Sequence, residues 1–290
     1  MMEPRRVKSW DGFLWWVEEP YHIEATSRSE IGVLNTLYSI ARRHHVFVDA
    51  GAGVGYYTVR LSQRVREVHA FEPNPGVRRV LERNIELNLC DNVTVWPYAL
   101  GSKPDKMALY IDKLSSSLLR REGAIENVVV EVMPLDGCVK GADIIKIDVE
   151  GYELEVLEGS TRILDLNRPY ILIEHHDFRP DWRKKCKGLF NRIREFMAKF
   201  YYIPLMITDV HYLWVPREKF KPWYADELKY VLWRCWVNKC IKNLQEGRAW
   251  YHGLPKRWWW GMCLVDFIEE LPEHIEREAE WVETVVEKAE

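Results

Sequence analysis

The stretch Val46-Phe-Val-Asp-Ala-Gly-Ala-Gly-Val-Gly-Tyr-Tyr-Thr58 decides how the rest of the chain is read. Val46, Phe47 and Val48 form an unbroken β-branched and aromatic run, the pattern of a parallel strand buried on both faces. Gly51, Gly53 and Gly55 follow at alternate positions, where absent side chains let a ligand approach the backbone. Beyond them Val54, Thr58, Leu61 and Val65 recur at three- and four-residue steps, the inward stripe of a helix. The unit reads as a strand, a loop suited to a nucleoside without phosphates, and a helix start.

Glycine spacing narrows the ligand. A dinucleotide fingerprint, G-x-G-x-x-G, sets a pyrophosphate on a helix N-terminus, whereas the order here is G-x-G-x-G. Asp49 stands two residues ahead of the first glycine, and a carboxylate there repels a pyrophosphate but suits the cationic amino-acid end of S-adenosylmethionine. Taken alone, the stretch also fits a glycine-rich βα turn in another α/β protein.

Composition sets outer bounds. The chain has 290 residues, enough for one large core with an appended lobe, and its 47% hydrophobic and 29% charged content is that of a globular protein. A net charge of -3 gives no global footprint for nucleic acid, so a nucleic-acid partner is not expected. Cys90, Cys138, Cys186, Cys235, Cys240 and Cys263 show neither a C-x-x-C pair nor zinc-like spacing, as expected of reduced thiols. No apolar run reaches the length of a membrane span and no leader pattern opens the chain, so a cytoplasmic setting is expected.

Taken in order, Trp10, Phe13, Leu14, Trp15 and Trp16 suggest a lid or an extra strand pair. A helix follows through Ile31, Leu34, Leu37, Tyr38 and Ala41, with Ser27 or Ser29 as its cap. The second strand, Val68–Phe71, ends in Glu72, where one carboxylate can accept from both hydroxyls of a ribose. Asn74 then caps a helix opened by Pro75, with Val77, Leu81, Ile85 and Leu89 as its inner stripe. The third strand, Val93–Ala99, brings Tyr98 or Ala99 to an adenine slot. Runs at Met107–Ile111 and Val128–Met133, joined through Ser115-Ser-Ser117 and Arg120-Arg-Glu122, read as an antiparallel insertion. The fourth strand, Asp143–Val149, delivers Asp148 and Glu150, and Leu154, Leu157, Ile163 and Leu164 mark the helical segment after it. The fifth strand, Tyr170–Ile173, runs into Glu174-His-His-Asp177. Leu189, Ile193, Phe196 and Phe200 then stripe a long helix before a closing strand pair, Tyr201–Thr208 and His211–Val215, with Asp209 at its turn.

With these residues placed, the sequence resembles the FkbM-type family of S-adenosylmethionine-dependent methyltransferases over about residues 44 to 177. The likeness rests on Val48-Asp-Ala-Gly-Ala-Gly-Val-Gly-Tyr-Tyr-Thr58, on Phe71-Glu-Pro-Asn-Pro75 with Asn84 and Asn88, and on Ile145-Lys-Ile-Asp-Val-Glu-Gly-Tyr-Glu153 with Val156-Leu-Glu-Gly159. It implies an α/β, doubly wound, mostly parallel seven-stranded Rossmann-like sheet closed by an antiparallel hairpin, and methylation of a hydroxyl on a sugar, polyketide or other small molecule. Members of the family commonly carry Asn where this chain has Gly53. Candidate cofactor contacts are Asp49, Gly51, Ala52, Gly53, Gly55, Tyr57, Thr58, Glu72, Pro73, Asn74, Tyr98 and Ala99. Three units are expected: an N-terminal lid or helix over 1–43, a catalytic core over 44–219 and a Trp-rich helical extension over 220–290.

Methyl transfer needs an aligned acceptor oxygen and a group to take its proton. Asp148 or His175 is the candidate base, with Glu150 positioning the substrate or the cofactor. A divalent ion held by Asp148 with Glu174 or His175 is the alternative arrangement, although no metal ligand is assigned. The extension carries eight of the 14 tryptophans, including Trp258, Trp259 and Trp260, and its helices would pack on the sheet or on a second copy. Methylation of RNA or protein, and a non-catalytic module that binds the cofactor, are the competing functions.

Overall fold

The computed structural model describes residues 3–27, 30–111, 116–119, 126–176, 186–208 and 210–220. An antiparallel strand pair, β1 (Arg5–Lys8) and β2 (Leu14–Val17), comes first, followed by helix α1 (Ile31–Ile40). The glycine-rich stretch is β3 (Val46–Ala50), a loop and α2 (Tyr56–Ser62). Next come β4 (Glu67–Phe71), α3 (Pro75–Leu87) and β5 (Val93–Trp96). Strands β6 (Ala99–Leu100), β7 (Asp105–Ile111), β8 (Ser116–Ser117) and β9 (Glu126–Met133) interrupt the alternation. A single turn, α4 (Leu135–Cys138), leads to β10 (Ile144–Ile147), α5 (Glu153–Glu158), α6 (Thr161–Leu166) and β11 (Tyr170–Glu174). Helix α7 (Leu189–Ala198) and the strands β12 (Tyr202–Met206) and β13 (His211–Pro216) follow.

The central sheet has the order β12-β13-β11-β10-β3-β4-β5. Strands β11, β10, β3, β4 and β5 run parallel, and β13 runs antiparallel to both of its neighbours. Chain order reverses between β3 and β10, so their carboxyl ends flank the crevice where open α/β sheets take ligands. The insertion forms its own sheet, with β7 and β9 antiparallel from Asp105 opposite Val132 to Ile111 opposite Glu126.

Alternation along the strands sorts the core into two layers. Val48, Ala50, Ile145, Ile147, Ile171 and Ile173 pack with Val156, Ile163 and Ile193 from the helices on one face. Phe47, Ile144 and Leu172 face the other way, onto Leu34, Leu37 and Ile40 of α1 and Leu61 of α2. Asp49 and Lys146 also alternate into that second layer, and the parallel register sets them side by side.

Several local expectations shift. Helix α1 is capped by Glu30, without a side-chain hydrogen bond, rather than by Ser27, and Ser29 lies outside the described residues. The buried face of α3 is Val80, Leu81 and Asn84, while Leu89 is 85% exposed, because the helix ends at Leu87 and Leu89 turns left-handed at φ 52°. Strand β5 stops before Pro97, which has no N–H for the ladder. The segment after β10 divides into α5 and α6 around Gly159 and Ser160, and Phe200 falls beyond the end of α7. Asp209, Ser115, residues 120–122 and the extension from 221 to 290 lie outside the described residues. Among the described residues no helix is long and apolar enough to cross a membrane.

The N-terminal pair is tied down by side chains that imitate a strand edge. Asn84 Oδ1 accepts from the Trp16 backbone N–H at 2.6 Å, and Asn88 Oδ1 accepts from that of Leu14 at 2.9 Å. Asn88 Nδ2 returns a bond to the Leu14 carbonyl at 2.7 Å, and Asn84 Nδ2 donates to the Val54 carbonyl in the glycine loop at 2.8 Å. Fully buried Arg60 pairs with Asp11 at 2.6 Å and lies 4.9 Å from the Trp15 ring centroid, bringing the strap onto α2. Asn84→Ala leaves the Trp16 N–H and the Val54 carbonyl without these partners, so stability should fall by about 1–3 kcal/mol in urea unfolding. An unchanged urea midpoint would remove Asn84 from the anchorage.

Candidate active site

The loop after β3 is fastened from two sides. Gly51 N and Ala52 N donate to the Phe71 carbonyl at 3.1 and 3.0 Å, and Gly53 N donates to Glu72 Oε2 at 2.8 Å. A Cβ at Gly51, where φ is +78°, would lie 1.9 Å from the Asp148 carbonyl oxygen, so this close approach of β3 to β10 requires glycine. At Gly53, where φ is +55°, a Cβ would meet nothing within 4 Å, so the loop backbone there faces open space. Gly55 is left-handed and caps α2.

Glu72 lies buried at the end of β4, with Oε1 accepting from Asn74 N at 2.9 Å and Oε2 from Gly53 N. Those bonds fix the carboxylate beside the open loop while each oxygen keeps acceptor capacity, as a diol requires. Burial pushes its carboxyl up to about 7, against the pull of the Asn74 and Gly53 amides. Asn74 caps α3 through Gly76 N and Val77 N and donates to Ser116 Oγ at 2.9 Å, and the Pro73 carbonyl accepts from Arg78. Tyr98 is half-buried with its ring 6.1 Å from that of Trp96, and Ala99 packs with Leu109 and Val130 in the small sheet's core.

Below the loop the structure brings together charges the sequence did not connect. Asp49 is wholly buried, its Oδ2 accepting from Thr58 Oγ1 at 2.7 Å and its Oδ1 lying 3.8 Å from Lys146 Nζ. The charge read from sequence as the partner of a cationic ligand is therefore answered within the fold. Lys146, also buried, donates to Asp148 Oδ2 at 3.0 Å and to the Gly51 carbonyl at 3.3 Å. Tyr57 turns inward as well, its hydroxyl donating to Glu30 and its ring beneath the Lys146 ammonium at 5.1 Å. Burial alone would raise the Asp148 carboxyl, but the charges of Lys146 and His176 hold it well below the usual carboxylate range. A charged residue inside the apolar run Ile144-Ile-Lys-Ile147 was the signal in the sequence for this role.

The histidine pair resolves in one direction. His175 is buried with its ring against Phe190 at 4.9 Å and Tyr212 at 5.2 Å, and its Nε2 accepts from Trp214 Nε1 at 3.4 Å. Burial drives its pKa down to about 3, and its ring belongs to that aromatic cluster. His176 replaces it at the acids, because successive residues leaving a strand point to opposite faces. Its Nε2 lies 3.3 Å from Glu150 Oε2 and 3.8 Å from Asp148 Oδ1, and its Nδ1 lies 2.8 Å from Glu153 Oε1. Glu174 sits behind, with Oε1 4.0 Å from His176 Nε2 and Oε2 3.8 Å from His211 Nε2. Glu153 entered the sequence reading only as the end of a motif, and His211 and Glu30 had no site role there, since the contacts with His176 and Glu174 join segments far apart in the chain.

A crevice at the switch point of the sheet, an open alternating-glycine loop and an enclosed acid after β4 are the features at which open α/β sheets take ligands. The methyltransferase FkbM domain matches residues 49–204, more than half of the chain. The chain belongs to the FkbM methyltransferase domain family, a family of S-adenosylmethionine-dependent methyltransferases. It is 27% identical over 165 residues to the hexuronic acid methyltransferase AglP of Haloferax volcanii, covering 55% of this chain and 67% of that one. It is 27% identical over 141 residues to methyltransferase 1 of Beauveria bassiana, covering 39% of this chain and 57% of that one. Among solved structures it is similar to methyltransferase FkbM from Methylobacillus flagellatus KT, at 18% identity and a TM-score of 0.45, covering 69% of this chain and 48% of that one.

Two measurements probe this architecture. Gly51→Ala should cost far more thermal stability than Gly53→Ala, which pays only the left-handed penalty of about 1–2 kcal/mol. Equal losses would contradict the close approach at Gly51. Because the Glu72 carboxyl is raised from 4.5 to about 7, its contribution to stability is full below the lower value and lost as pH rises through the upper one. Affinity for S-adenosylhomocysteine should run the opposite way, tightening as Glu72 ionises near pH 7, and calorimetry on Glu72→Gln should show no such pH dependence.

Proposed function

We propose that the protein transfers a methyl group from S-adenosylmethionine to a hydroxyl of a sugar or related small molecule. The observation that carries this reading is the position of Asp148 at the carboxyl end of β10, against the glycine loop and held by Lys146 at 3.0 Å. The open backbone at Gly53 beside Glu72 fits an adenosine, with Glu72 taking the ribose hydroxyls. Gly51, Ala52, Gly55, Pro73 and Asn74 shape the same wall, while Asp49, Tyr57 and Thr58 support it from below. Tyr98, and Ala99 beside it, border the adenine side.

Bound S-adenosylmethionine supplies an electrophilic methyl group. The protein's own work is to seat the acceptor and manage its proton. Asp148 accepts the hydrogen bond of the attacking hydroxyl and aligns its oxygen. A carboxylate held this far below its usual range serves as a proton acceptor because the attacking oxygen becomes strongly acidic as its new bond forms. Glu150, 3.3 Å from His176, orients the acceptor from the other side. A sugar acceptor draws support from the relative named for hexuronic acid methylation. We assign the catalytic unit to residues 44–219, with 1–43 as a strap and 220–290 as an extension.

Calorimetry with S-adenosylhomocysteine, followed by labelled-methyl transfer to pooled sugars and other hydroxyl acceptors, tests the proposal. Asp148→Asn should keep its affinity for S-adenosylhomocysteine and lose roughly 100-fold or more in turnover. Wild-type turnover in that variant would eliminate Asp148, and binding without transfer to any acceptor would favour a non-catalytic module.

A further inference from the structure

We propose that Asp148, Glu150 and His176 form a binding site for a divalent first-row transition-metal ion at the floor of the crevice. One ligand atom from each of the three lies within 4.8 Å of the others, close enough to converge on one ion with small side-chain movements. The imidazole is pre-aimed from outside the trio. Glu153, wholly buried on α5, takes His176 Nδ1 at 2.8 Å and is itself held by Gly151 N at 2.9 Å. A histidine whose second nitrogen is fixed by a buried carboxylate is the usual support of a metal ligand, because it sets ring orientation and tautomer.

Charge balance points the same way. Four carboxylates, Asp148, Glu150, Glu153 and Glu174, surround His176, and among the described residues the basic groups facing them are Lys146, shared between Asp148 and Asp49, and His211, 3.8 Å from Glu174. Solvated acids do not explain the arrangement, since Glu153 is fully enclosed and Glu174 nearly so. The donor set chooses the ion: one imidazole with two carboxylates suits manganese, iron or zinc, whereas magnesium and calcium prefer oxygen alone. Asp148 and Glu150 keep 25% and 17% side-chain exposure while His176 has none, so the protein ligands close one side and leave the other to an acceptor. Only the use made of the ion rests on the methyl-transfer reading: there it would bind the acceptor oxygen and lower the pKa of its hydroxyl.

The full chain, stripped with chelator and dialysed, is titrated with Mn²⁺ alone while the free-ion electron paramagnetic resonance signal is followed. One equivalent should disappear. Glu150→Gln and His176→Gln should each weaken binding at least about 10-fold, and Glu153→Gln by about 10–100-fold. Glu150 lies at the crevice surface, so its variant keeps the test decisive if His176→Gln fails to fold. Absence of signal loss with the wild-type chain, or binding undiminished by both Glu150→Gln and Glu153→Gln, overturns the site. Calorimetry with S-adenosylhomocysteine on the same metal-free sample separates the two readings: cofactor binding without Mn²⁺ binding removes the ion and leaves the methyltransferase.

Discussion

A single buried ammonium holds the working end of the sheet together. Lys146 Nζ reaches Asp148 at 3.0 Å, the Gly51 carbonyl at 3.3 Å and Asp49 at 3.8 Å, joining β10 to β3 and to the loop between them. Burial opposes its charge, but the two aspartates overcome that penalty and raise its pKa above the usual lysine value. A buried ion cluster adds little net stability, because desolvation offsets most of the attraction. Its effect is on register. Sliding β10 by one residue would turn Lys146 away from Asp49 and into the apolar layer of Val48 and Ile171.

Helix α3 extends this order outward. Its first turn carries Asn74, which caps the helix and reaches Ser116 in the small sheet, while Glu72 just ahead is pinned to Gly53. Its last turns carry Asn84 and Asn88, which hold the N-terminal strand pair and the Val54 carbonyl. One helix therefore connects loop, insertion and strap, and the buried face of α3 is partly polar for that reason. The two asparagines that contributed to the family resemblance act in the architecture and do not touch the crevice acids.

Much of the fold was legible before any tertiary contact was known. The β3–loop–α2 unit, the acid after β4 and the cap at Asn74 rest on periodicity, glycine spacing and capping chemistry, all set within a few neighbouring residues. The strands and helix that stop early did so for local causes that a periodic pattern overlooks: Pro97 ends β5, and a left-handed Leu89 follows the end of α3. The placement of Asp148 and Glu150 just after β10 was legible, because acids at the carboxyl ends of parallel strands are positioned by topology. Choosing between His175 and His176 was a different matter, since neighbours at a strand end diverge to opposite faces.

By itself the sequence determined an α/β chain with a glycine-rich strand–loop–helix unit and acids after its second and fourth predicted strands, because each of these is written in local spacing. Only the tertiary structure decided that Lys146 neutralises Asp49 and grips Asp148, that Glu153 aims His176, and that His175 belongs to an aromatic core. These pairings depend on register between strands far apart in the chain and on the face each side chain takes, quantities that no single segment contains.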